Sequence, residues 1–175
     1  MKRGKLTQTP DKTLLRNGDI LLCQSNGWLG KTIKAFTKSR YNHAAMVLEV
    51  SGVLMVIDSQ RKGTNLQTFE NWVKKYAYNY HVARYLFGNA PWGKRIRARA
   101  FSKTGATSYD FSSLIFWQPW YLITGKWRGR KAAKAAKRMY CSEYVAWNHE
   151  LPDWWAMSPQ GLFLHLVDDV KYTFL

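Results

Sequence analysis

The sequence predicts one α+β domain, a small antiparallel sheet with helices around it. Three observations predict it. Short apolar or β-branched runs cluster in the first half, at 19–23, 43–50, 53–60 and 79–87. Helical spacings surround and follow them. No linker rich in Pro, Ser or Gly divides the 175 residues, and 46% of them are apolar, enough for one core.

The elements follow in order. Asn17-Gly18 ends a basic arm (residues 1–16), and 19–23 reads as a short buried strand. Apolar residues at 28, 29, 33 and 36 have helical spacing. The runs 43–50 and 53–60 are joined by Ser51-Gly52, a two-residue hairpin loop in which Gly supplies positive φ. Residues 79–87 suggest another strand. Pro91 opens a helix reaching Phe101. The stretch 111–127 is aromatic and reads as irregular, interrupted by Pro119 and Gly125. Residues 131–138, rich in Ala and Lys, read as helical. A helix over 141–150 stops before Pro152, and Ser158-Pro159 caps and starts another. Residues 170–175 suggest a last strand.

Charge narrows the partners. Net charge is +16, and twelve Lys or Arg stand against one acid, Asp110, between Lys94 and Arg138. Such a field favours polyanions or anionic lipid, although a solvated basic face alone would also produce it. No apolar run reaches the ~20 residues that span a bilayer, and no secretory core is visible. Synthesis and retention in the cytoplasm are expected, with release to the envelope by another route as the alternative. Two cysteines make no disulfide framework, and no Cys/His spacing suggests zinc. No residue pattern requires a metal or a cofactor.

The hairpin places chemistry. With a two-residue loop, paired residue numbers sum to 103. His43, Ala45, Val47 and Glu49 then share a face with Leu54, Val56, Asp58 and Gln60. The other face, from Ala44 to Ile57, reads as the core. His43 and Asp58 become diagonal neighbours, a base and its orienter, with Gln60 a geometric alternative to Asp58. Cys141 heads a helix, where the dipole and backbone N–H groups favour a thiolate and can serve an oxyanion. A small buried thiol is the competing reading of Cys141. Cys23, among aliphatic neighbours, reads as core.

The segments Asn17-Gly18-Asp19-Ile20-Leu21, Asn42-His43-Ala44-Ala45-Met46-Val47, Val56-Ile57-Asp58-Ser59, Tyr109-Asp110-Phe111, Tyr140-Cys141-Ser142-Glu143-Tyr144-Val145 and Ser158-Pro159 resemble circularly permuted NlpC/P60 hydrolases. The nearest branch is the YiiX/YebB-like one. The resemblance runs over about 17–165 in order, and the order of the segments carries it more than any one of them. It implies a papain-like α+β domain over 17–175 with Cys141 as nucleophile, His43 as base and Asp58 as third member, where the branch commonly has glutamate. The permutation accounts for His43 preceding Cys141. Tyr41 or Tyr109 would add a hydroxyl to the oxyanion or substrate site, with Gln60 nearby. The implied reaction passes through an acyl-cysteine. The substrate expected is a peptidoglycan peptide amide. The alternatives are a lipid-directed thioesterase, phospholipase or acyltransferase, and a non-catalytic binder of an anionic polymer or membrane.

Residues 112–138 exceed what that pattern needs. Trp117, Trp120, Tyr121 and Trp127 lie beside Lys126, Arg128, Arg130, Lys131, Lys134 and Arg138. This mixture suits an anionic membrane or polymer, with nucleic acid a weaker alternative. A lid over the cleft would use the same residues. Glu143 reads as pointing away from Cys141, and His149 and His165 as structural.

Overall fold

The computed structural model describes residues 11–24, 40–76, 80–105, 108–110, 112–130 and 137–175, excluding the side chains of 114 and 122. Among them are six strands: β1 (Ile20–Cys23), β2 (His43–Val50), β3 (Val53–Gln60), β4 (Gly63–Thr68), β5 (Tyr80–Tyr85) and β6 (Tyr172–Phe174). Five helices accompany them: α1 (Phe69–Tyr76), α2 (Ala90–Ser102), α3 (Gln118–Thr124), α4 (Cys141–Asn148) and α5 (Pro159–Asp168). The strands form one sheet in the order β4-β3-β2-β1-β5-β6, every neighbour antiparallel. This is the expected α+β architecture. The helix expected at 28–37 and most of the one at 131–138 lie outside the described residues, as does most of the N-terminal arm.

The hairpin has the register read from its loop. Val50 faces Val53 and Met46 faces Ile57. Ser51 and Gly52 both have positive φ, 51° and 76°, the geometry whose twist suits a two-residue connection. Asn17 ties down the turn end of this hairpin by accepting the Glu49 N–H at 2.7 Å.

Three features differ from the sequence reading. First, β4 and α1 were not foreseen. β4 has the sequence GTNLQT, poor in strand formers and only half-buried. α1 is short, yet Phe69, Trp72, Val73 and Tyr76 have the 3.6-residue period. Second, both hairpin faces are core. Ala45, Val47 and Val56 pack with Leu21, Phe69, Trp72 and Val73 under α1. Met46, Leu48 and Ile57 pack with Ile96, Ala100 and Tyr144, while Ala44 joins Val145, Ala146 and Leu162 of α4 and α5. The face carrying His43 and Asp58 is therefore also covered, by α1.

Third, the stretch expected to be irregular is helical. A π-turn over Ser113–Trp117 runs directly into α3. Pro119 sits in the first turn of α3, where its missing N–H costs least, and Gly125 closes the helix at φ 66°. The last two helices begin where expected, with Ser158 accepting the Gly161 N–H at 2.9 Å. No described helix is long and apolar enough to cross a membrane.

Candidate active site

β2 and β3 carry an imidazole and the carboxylate paired with it. His43 opens β2, and Asp58 lies near the end of β3, both buried. His43 Nε2 and Asp58 Oδ2 are 2.6 Å apart, a short charge-assisted contact. With Nε2 committed there, Nδ1 is the ring nitrogen left for the Cys141 thiol, which is hydrogen-bonded to His43. Cys141 is the first residue of α4. The Ala44 and Ser142 amides also donate to its sulfur.

Gln60 sits behind this pair. Its Nε2 donates to Asp58 Oδ1 at 2.9 Å and Oδ2 at 3.0 Å. Lys75 Nζ donates to Gln60 Oε1 at 2.8 Å, which turns the amide nitrogen toward Asp58. A polar chain thus runs Lys75–Gln60–Asp58–His43–Cys141. The Lys75 end of it comes from α1 and could not be read without that helix.

Electrostatics follow from burial and pairing. Desolvation opposes charge on both members of the Cys141–His43 pair. Against it, the imidazole's charge and hydrogen bond, with the Ala44 and Ser142 amides, hold the thiol below its ordinary value. For His43, burial acts downward, but the Cys141 charge and the Asp58 hydrogen bond prevail and raise it to about 10. The favoured resting form is a thiolate–imidazolium pair. Cys23 behaves oppositely: it is fully buried, its thiol is pushed well up by desolvation, and its Sγ faces the His43 carbonyl at 3.6 Å.

The remaining candidates are distributed as follows. The Tyr41 hydroxyl is hydrogen-bonded to His81 Nδ1, and burial raises Tyr41 to about 12. Tyr109 is half-buried and close enough to Tyr140 for their charges to interact. Tyr140 precedes Cys141, and its hydroxyl accepts from Gln118 Nε2 at 2.6 Å. Gln118 also donates to the Ala156 carbonyl at 2.8 Å. Glu143 is buried and accepts the Tyr140 N–H at 3.1 Å. Burial first, with the Asp110 and Cys141 charges adding to it, raises its carboxyl well above the usual range. Glu143 therefore shapes the start of α4. His149 caps the end of α4, its Nδ1 3.0 Å from the Tyr172 hydroxyl.

Of the basic residues singled out, Arg130 is paired with buried Asp110 at 2.9 Å. Asp110 also accepts from Ser112 and Ser113 at 2.7 Å each. The Arg128 guanidinium stacks over Trp120 at 4.6 Å. Lys126 and Arg138 are exposed. Lys131 and Lys134 lie outside the described residues.

A thiol at a helix start, an imidazole opening a strand and a carboxylate on the next strand are thus brought together. The family model described as permuted papain-like amidase enzyme, YaeF/YiiX, C92 family, matches residues 14–116. The matched region contains His43 and Asp58 and ends before Cys141. Among solved structures, that of metalloprotein yiiX from Escherichia coli O157:H7 superposes with a TM-score of 0.59 at 18% identity. The superposition covers 91% of this chain and 96% of that one, a likeness of fold. Among the described residues, no group of three or more His, Cys, Asp or Glu could hold a metal ion. Comparison with curated proteins gives no match. The family model spans more than half of the chain, and the protein belongs to the permuted papain-like amidase family, YaeF/YiiX, a family of thiol hydrolases.

Proposed function

We propose that Cys141, His43 and Asp58 are the catalytic residues of an amidase whose substrate is a cell-wall stem peptide. The observation that carries this reading is the 2.6 Å contact between His43 Nε2 and Asp58, with the Cys141 thiol hydrogen-bonded to the same imidazole. The Cys141 thiolate attacks the amide carbonyl carbon, forming a C–S bond and moving the carbonyl electron pair onto oxygen. The Cys141 amide, at the first position of α4 and so without an intrahelical acceptor, donates to that oxyanion. Imidazolium His43 then gives its proton to the leaving nitrogen as the C–N bond breaks. Water, deprotonated by His43, attacks the acyl-cysteine. The acid leaves and the thiolate returns. Asp58 holds the imidazole in place throughout and balances its charge.

The match to an amidase family and the NlpC/P60-like motifs in the sequence support the stem-peptide reading. Incubation with purified muropeptides tests it. Wild-type protein should release a new free amine, and Cys141→Ala and His43→Ala, both folded, should not. Turnover retained in both variants would overturn the residue assignment. Intact muropeptides alongside hydrolysed N-acyl or O-acyl lipids would replace the substrate with an acyl lipid. One observation favours that second reading. A cavity of about 200 Å³, largely apolar and lined by Tyr121, Ala156, Met157 and Leu164, opens beside Gln118, one hydrogen bond from Tyr140.

A further inference from the structure

Among the described residues, the outward side of α3 and of the turn before it carries exposed apolar side chains. Its inner face is fixed: Ser113 is bound to Asp110 and Gln118 to Tyr140 and the Ala156 carbonyl. With Gln118 facing inward, Phe116, Trp120 and Ile123, at spacings of four and three, lie on the opposite side. Phe116 is 67% exposed and Ile123 84%. Trp120 and Ile115 are also exposed. Single exposed apolar residues need no explanation, whereas a contiguous stripe does.

Positive charge borders the stripe. Lys126 and Arg128 follow α3 directly and are exposed, with Arg128 stacked over Trp120. The chain as a whole carries +16. An apolar stripe with an aromatic at its middle and cations at one end matches the headgroup boundary of an anionic bilayer. A nucleic acid would use the cations and the Trp, but it gives no reason to expose Ile123 and Phe116.

We infer that the face formed by Phe116, Trp120 and Ile123, with Lys126 and Arg128, docks the protein on an anionic lipid surface. Docking there sets the mouth beside Gln118 and Tyr140 against the membrane. The inference does not require Cys141 to be active.

Flotation of the full chain with phosphatidylglycerol–phosphatidylcholine vesicles, and with pure phosphatidylcholine vesicles, tests it. Wild-type protein should float with the anionic vesicles and lose binding as salt rises. Phe116→Ser with Ile123→Ser should reduce partitioning on the order of 30- to 100-fold. Lys126→Gln with Arg128→Gln should reduce it about 20-fold at low salt and flatten the salt dependence. Both double variants should melt like wild type and alkylate at Cys141 at the same rate, which separates docking from the state of the site. No flotation of the wild type, or flotation unchanged by the serine pair, would overturn the inference. So would light scattering that shows a wild-type dimer abolished by the serine pair without vesicle binding, which would make the face a contact between copies.

Discussion

Replacing His43 by Ala should change how the reactivity of Cys141 depends on pH more sharply than it changes anything else measurable in the free protein. In the wild type, the imidazolium and its hydrogen bond, with the Ala44 and Ser142 amides, hold the thiol down against desolvation. His43 keeps its proton until about pH 10. Sulfur therefore stays thiolate across neutral and mildly alkaline pH, and its alkylation rate should differ little between pH 7 and 9. An ordinary thiol titrating near 8.5 goes from ~3% to ~76% thiolate over that interval, a rise of about 25-fold. His43→Ala removes the charge and the hydrogen bond but leaves the burial, so the thiol titrates above its ordinary value and the rise approaches the ~100-fold limit of tenfold per pH unit. Iodoacetamide labelling with peptide mapping separates Cys141 from buried Cys23. The predicted ratio of rates, pH 9 over pH 7, is under about 3 for wild type and above about 25 for the variant. A wild-type ratio near 25 would refute the ion-pair argument.

Further outcomes follow from other contacts. Asp58→Asn keeps the size and removes the charge, so turnover should fall about 10²- to 10⁴-fold with little change in KM, read by steady-state kinetics. Gln60→Ala, which frees Asp58 to reorient, should lower turnover less, and the His43 titration followed by NMR should shift downward. Burial holds His149 neutral down to about 3, whereas the unfolded chain protonates it near 6.5. That contribution is present above 6.5 and is lost as pH falls, by up to about 1.4 kcal/mol per pH unit. His43 has the opposite sign: its stabilisation is full below 6.5 and is lost as pH rises through about 10. Urea denaturation of His149→Gln should show a shallower loss of stability with acid than wild type. Gly18→Ala should lower stability by about 2–4 kcal/mol in the same assay, because the position has φ 84° and an added methyl would run into the Trp92 ring.

The chemistry was more legible in the sequence than the packing. A two-residue loop fixes a hairpin's register, so Ser51-Gly52 alone was enough to put His43 and Asp58 on one face. The start of α4 was readable from an apolar run ending at Pro152. The polar chain behind Asp58 was only half readable. Gln60 lay on the correct face, but Lys75 required α1, whose eight residues give a weak periodic signal beside the polar edge strand β4. Without α1, the packing over Ala45, Val47 and Val56 was not legible either. Pro119 and Gly125 suggested a break in 111–127, whereas they mark the first turn and the end of α3. The role of Gln118 in tying α3 to Tyr140 has no local pattern, because it depends on a contact 22 residues away.

Turnover at this site requires Cys141 to form a covalent bond to the acyl group. Rapid acid quench of the wild-type protein during turnover, followed by intact mass and peptide mapping, tests it directly. The predicted result is an acyl adduct on the peptide containing Cys141, absent from that containing Cys23 and lost in His43→Ala. Turnover with no adduct at any time of quench, or turnover surviving in Cys141→Ala, would contradict it.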